Sequence, residues 1–303
     1  MNALIEKFKH HLIAERYVSV HTVEAYIKDI YQFAHFLKTI ANITSFHEVA
    51  LQQVKDFLKY ARYTLKISPR SLSRKLSAIK TFSHYLHYYH QVPLFTKGAI
   101  FPKLPKHLPR YLSEEQIQVI IKTAQQDESA LGYRNRVIIY LLYACGIRVS
   151  ELVNIKIDHI HFSEHYLQVY GKGNKERIIP IPKELIVTLQ HFIDFIRPQF
   201  FNSEKKSSDL LFLSRLKEKE SSLTRISVYT IIKTLAQKAG LLHAVSPHVL
   251  RHSLATHLLK KGANLRVLQM LLGHEKLTTV QVYTHMDVSY LRQMYDKYHP
   301  RAK

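Results

Sequence analysis

Three prolines, Pro102, Pro105 and Pro109, fall within eight residues of a chain that reads as helix over long stretches on either side. A proline inside a helix removes an N–H donor and drives its ring into the carbonyl four residues back, so no helix runs through this segment. Lys103, Lys106 and His107 lie between the prolines, which predicts a semi-extended basic linker. The chain therefore divides into residues 1–101, a linker at 102–109, and residues 110–303. A length of 303 residues is enough for a separate core in each part.

The first part carries the helical period almost throughout. Ser19 and Thr22 are helix-capping types, and Val23, Tyr26, Ile27, Ile30, Phe33, Ala34 and Leu37 then recur at 3.6-residue spacing. Residues 50–63 repeat the pattern. Ser68 and Pro69 mark a third helix start, followed by one apolar stripe of Leu72, Leu76, Ile79, Phe82 and Leu86. Arg70, Arg74, Lys75 and Lys80 are expected off that stripe, facing a partner.

The second part opens with the capping box Ser113-Glu114-Glu115-Gln116, and a helix over 131–145 is expected to stop at Gly146. The convincing strand signal is confined to residues 166–170 and 176–181, which alternate around the turn Gly171-Lys172-Gly173-Asn174 and predict a hairpin. Residues 210–213 are a candidate third strand. Helix returns from Thr224, with stops at Gly240, Gly262 and Gly273. The expected fold is mainly α with a small antiparallel β-sheet: an N-terminal helical bundle, then an α+β domain.

Charge narrows the partner. Lys plus Arg number 44 against 23 Asp plus Glu, a net +21, and such a field attracts polyanions. Lys175 and Arg177, beside the hairpin turn, join the basic residues expected to contact DNA. A membrane is not expected, because the longest apolar run, residues 137–147, is far short of the roughly 20 residues that span a bilayer. The first nine residues hold Glu6, Lys7 and Lys9 and no apolar signal core, and the lone Cys145 can form no internal disulfide. A cytoplasmic protein is expected, with Cys145 a small core residue.

Six residues of the second part have the chemistry to attack a phosphodiester with a phenol: Arg148, Lys172, His248, Arg251, His274 and Tyr283. Ser246 and Pro247 start a helix that places His248 and Arg251 on one face at its electropositive end. Two guanidiniums can grip the non-bridging oxygens of one phosphate and offset the charge of a pentacovalent transition state. A phenol with an ordinary pKa near 10 needs help to act as nucleophile, and His248 and His274 are both candidates for it. Lys172, on the hairpin tip, can protonate the leaving sugar oxygen. The competing readings are structural: Arg148 as ion-pair partner of Glu151, Lys172 as a backbone contact, Tyr283 as a core residue. No metal-binding carboxylate cluster and no phosphate loop occur near these residues, so neither a metal nor a nucleotide cofactor is expected.

The strings Cys145-Gly146-Ile147-Arg148-Val149-Ser150-Glu151-Leu152, Gly171-Lys172-Gly173-Asn174-Lys175-Glu176-Arg177, His248-Val249-Leu250-Arg251-His252 and Leu272-Gly273-His274, with Tyr283-Thr284-His285, resemble the tyrosine recombinases, in particular the Xer-type chromosome-dimer resolvases. The resemblance spans nearly the whole chain. It implies that Tyr283 joins covalently to a DNA 3'-phosphate while the other five residues assist. It implies double-stranded DNA as substrate, a tetramer of one or two kinds of subunit, and a C-terminal segment docking into a neighbouring protomer; a DNA-translocating division protein is a further candidate partner. A phage or transposon integrase of the same chemistry, and a non-catalytic basic DNA-binding protein, are the alternatives. Leu254, Cys145 and Glu275 depart from the family's usual phenylalanine, threonine and small polar residue.

Overall fold

The computed structural model describes residues 1–15, 20–102, 111–171, 176–201, 208–214, 222–242, 244–273 and 285–300. They form two compact units, 1–107 and 108–303.

The first unit is built from α1 (Asn2–Glu15), α2 (Val20–Thr39), α3 (Leu51–Tyr63) and α4 (Pro69–His90). The 3.6-residue stripes become its core: Val23, Ile27, Ile30, Phe33, Ala34 and Leu37 of α2 pack with Leu76, Ile79, Phe82 and Leu86 of α4. Ser68 caps α4, its hydroxyl accepting from the Ser71 amide, and Pro69 occupies the first helical position. Ser19 lies outside the described residues.

The second unit contains α5 (Glu114–Gln125), α6 (Ala130–Ala144), α7 (Val149–Leu152), β1 (Ile160–His161), β2 (Tyr166–Tyr170), β3 (Glu176–Pro180), α8 (Lys183–His191), α9 (Arg225–Lys238), α10 (Pro247–Lys260), α11 (Leu265–Leu272) and α12 (His285–Tyr298). The capping box at Ser113 and Gln116 forms as expected. Helix α6 is central: residues 137–145 are all buried, and they meet α5, α10 and the sheet in one core. Among the described residues, no helix is long and apolar enough to cross a membrane.

The sheet is antiparallel in the order β1-β2-β3, with Leu167 opposite Ile179 and Val169 opposite Arg177. The expected third strand at 210–213 is corrected. Leu210 and Leu213 make only isolated bridges, to Lys156 and Ser222, and the sheet's third strand is Ile160–His161. That short strand reaches β2 through a four-residue connection, where His165 adopts φ 55°, so its pairing closes a far smaller loop than residues 210–213 would.

Cys145 sits wholly inside this core, and burial pushes its thiol up to about 12. A thiol reagent at neutral pH should leave the native protein unlabelled and modify one cysteine after denaturation. Rapid labelling of native protein would contradict the packing around α6.

In this single chain the C-terminal helix packs on its own unit. Leu291 and Tyr295 are buried in the shared core, and the Tyr295 hydroxyl donates to the Ala144 carbonyl at 3.0 Å. Arg292 Nη1 donates to the Ile181 carbonyl at 3.0 Å, and the His299 ring stacks on Tyr295 with centroids 4.3 Å apart. Truncation after residue 289 therefore strips two large side chains from the core. Tyr295→Ala alone should cost about 3–5 kcal/mol, read as a fall in denaturation midpoint. An unchanged midpoint would mean that α12 is not part of this core.

Candidate active site

The site grows from the end of α6. Gly146 follows that helix with φ +57°, a left-handed value that suits glycine. A Cβ there would lie 2.7 Å from the side chains of both Leu254 and Leu272, so glycine lets α10 and α11 close over the turn. Leu254, one of the family departures, thus fills the space directly above Gly146. The chain then turns into α7, with Arg148 in extended conformation at its N-cap.

Arg251, one turn into α10, donates from Nη1 to the Gly146 carbonyl and from Nη2 to the Leu272 carbonyl. Arg148 Nη2 donates to the Gly273 carbonyl at 2.8 Å. The two guanidiniums, 103 residues apart in the chain, therefore converge on consecutive carbonyls at the C-terminus of α11. These are the acceptors a helix end leaves without intrahelical partners, and they carry the negative end of its dipole. Each guanidinium has five N–H groups, so these bonds orient both arginines and leave donors for a ligand.

A third arginine completes the cluster. Arg177 Nη1 and Nη2 donate to the two carboxylate oxygens of Glu151, each at 2.8 Å, and its Nε donates to the Leu271 carbonyl at 3.2 Å. Glu151 also accepts from the Arg148 backbone amide at 2.7 Å and from Arg148 Nη1 at 2.9 Å. Burial alone would raise the Glu151 carboxyl, but the Arg177 guanidinium and the Arg148 donors outweigh it and hold the group at about 2. Arg251 moves the other way: burial first, then the charges of Arg148 and Arg177, lower it to about 9, which leaves it protonated at neutral pH. Three guanidiniums face one carboxylate, so the cluster holds an excess of two positive charges. Arg251 and Arg177 are buried, whereas the Arg148 side chain is 40% exposed and opens the cluster to solvent.

His248 is the second residue of α10 and is exposed one turn before Arg251. Lys172, Lys175, His274 and Tyr283 lie outside the described residues. Among the described residues, no group of three His, Cys, Asp or Glu side chains is placed to hold a metal ion. A cavity of about 190 Å³ lined by Thr123, Asp127, Asn135, Thr234 and Lys238 contains none of the residues above.

Two expected DNA contacts are corrected. Arg177 is 5% exposed and engaged by Glu151. Strand alternation is the reason: Arg177 shares its face with Ile179, which points into the core. Lys75 is 3% exposed, its ammonium 2.7 Å from Asp29 and bonded to Gln32. It stands three residues after Leu72 and four before Ile79, so it belongs to the buried stripe and requires a buried anion. Arg74 is half-exposed and pairs with the same Asp29; Arg70 is exposed on the first turn of α4; the Lys80 ammonium lies 4.6 Å from the centre of the Phe101 ring. The Glu151–Arg177 pair is what sequence reading missed. Strand parity at Arg177 was the available signal.

Comparison with known proteins fits this geometry. The model of the phage integrase family matches residues 110–289, and that of its N-terminal SAM-like domain matches residues 5–88. The chain is 36% identical over 305 residues to tyrosine recombinase XerD of Listeria monocytogenes, covering all of both chains. It is 37% identical over 300 residues to tyrosine recombinase XerD of Pseudomonas putida, covering 99% of this chain and 98% of the relative. Among solved structures, the XerH site-specific recombinase bound to its difH substrate in a pre-cleavage complex superposes with a TM-score of 0.69 at 25% identity, over 95% of this chain and 82% of that one. Family models that match both units, with full-length relatives at 36% and 37% identity, place this chain in the phage integrase family as a Xer-type tyrosine recombinase, a site-specific recombinase acting on DNA.

Proposed function

We propose that Arg148 and Arg251, held in place by Glu151 and Arg177, receive one DNA backbone phosphate, and that Tyr283 attacks it. The phenolic oxygen forms a bond to phosphorus and the bond from phosphorus to the 5'-oxygen breaks, leaving a 3'-phosphotyrosine and a free 5'-hydroxyl. Lys172 protonates that leaving oxygen, and His248 and His274 assist proton transfer and hold the phosphate. Because the new ester conserves the energy of the bond it replaces, rejoining reverses the step and consumes no nucleotide.

The excess of two positive charges carries this reading. A phosphodiester brings one negative charge and its pentacovalent transition state two, so the cluster matches the transition state better than the ground state. Arg70, Arg74, Lys80 and Lys175 supply contacts to the DNA backbone. Exchange between two duplexes cuts four strands with one nucleophile each, which calls for four protomers. Xer-type relatives fit resolution of chromosome or plasmid dimers; action in the cytoplasm, timed by a DNA-translocating division protein, completes the proposal.

The test is a suicide substrate nicked near the cleavage position, so that the freed strand diffuses away and cannot rejoin. A denaturation-resistant protein–DNA adduct should accumulate with chelator present and no nucleotide added. Specific DNA binding without any adduct would instead support a non-catalytic DNA-binding protein.

A further inference from the structure

We infer that Arg177 is a positioning residue for recombination, tying the hairpin strand, the Arg148 turn and the end of α11 into one register. This rests on the recombinase reading above and assigns a further residue to its machinery. Arg177 touches the support of three catalytic segments at once. Its terminal nitrogens take both oxygens of Glu151, and its Nε takes the Leu271 carbonyl. A two-pronged guanidinium–carboxylate pair fixes the plane of both groups. That plane matters because Glu151 Oε1 also receives Arg148 Nη1, and Oε2 receives the Arg148 amide. With Arg177 removed, the carboxylate keeps only its two Arg148 bonds and loses the pair that fixes its plane, so Arg148 is held less firmly.

The same side chain fixes the other two segments. Arg177 is the second residue of β3, on the core face opposite Val169, so it anchors the strand leaving the turn that carries Lys172. It also lies against Gly273, the residue before His274. A Cβ at Gly273 would sit 3.1 Å from Arg177 Cδ and 3.2 Å from Nη1, so the approach is as close as a glycine permits. A purely structural ion pair would need only Glu151. Contact with β3 and with the α11 terminus gives Arg177 control over where Arg148, β3 and Gly273 stand relative to one another.

The experiment times single-turnover adduct formation on the suicide substrate at saturating DNA, below each variant's melting temperature, for the wild type, Arg177→Lys and Arg177→Ala. Arg177→Lys keeps the charge but cannot make the two-pronged contact and the Leu271 contact together. Its adduct rate should fall by about a hundredfold, with the DNA dissociation constant within about threefold of wild type. Methylguanidinium added to Arg177→Ala should restore at least about tenfold of the lost rate. A rate within about threefold of wild type in a variant whose melting temperature has fallen would overturn the inference, leaving a stabilising ion pair. So would an Arg177→Ala rate that methylguanidinium does not change. If the wild type forms no adduct, the recombinase reading itself fails, which the wild-type lane reports separately.

Discussion

Tyr283→Phe is expected to abolish the covalent adduct, lowering its rate by at least about four orders of magnitude, while DNA affinity stays within about twofold of wild type. The substitution removes one oxygen, the atom proposed to bond to phosphorus, and keeps the ring. No other group of the constellation can replace that oxygen and still be regenerated by the reverse step. Affinity should hold because the proposed phosphate ligands, Arg148 and Arg251, are oriented by the carbonyls of Gly146, Leu272 and Gly273. Gel retardation gives the affinity and a denaturing gel the adduct. With 19 tyrosines in the chain, mass spectrometry of the wild-type adduct identifies the modified peptide. An adduct of undiminished rate in the phenylalanine variant would place the nucleophile elsewhere.

Glu151→Ala should destabilise the second unit by about 3–5 kcal/mol, because it leaves the Arg177 and Arg148 guanidiniums crowded beside Arg251 with no anion among them. For a domain of this size that is a fall in Tm on the order of 10 °C. The wild type should also show the carboxylate in its pH dependence. The folded protein holds Glu151 at about 2 against an ordinary 4.5, so it binds this proton less readily than the unfolded chain does. The stabilisation is therefore complete above the ordinary carboxylate value and disappears as pH falls from about 5 towards about 2, amounting to about 3 kcal/mol. Denaturant titrations across that window should converge for wild type and Glu151→Ala as pH drops. Parallel curves would show that the carboxylate is not held by the arginines. A bound phosphate or sulfate should partly offset the loss, since it supplies the missing negative charge.

Local rules carried the sequence reading a long way because they concern contacts within one turn of helix or one hairpin. Ser68 with Pro69, the Ser113 box and Ser246 with Pro247 each announce a helix start in three or four residues. The failures were of two kinds. Lys75 and Arg177 carry charges that suit a DNA contact, but helical spacing and strand parity put both on buried faces. Residues 210–213 were apolar enough for a strand, but pairing depends on which segment reaches the sheet edge first, and residues 160–161 were nearer along the chain.

From the sequence alone came the two-part chain, the helical first unit, the 166–180 hairpin, and the membership of Arg148 and Arg251 in one chemical set. Only the tertiary structure decided that a glutamate and a third arginine lock that set in place, that α12 closes the core of its own unit, and that the ends of α6 and α11 meet across Gly146. The division has a physical cause. Capping, periodicity and turn chemistry act between neighbours in the chain. The orientation of a guanidinium is set by acceptors up to 125 residues away, as Arg148 and Gly273 are, and those acceptors exist only when α6, α10 and α11 have packed.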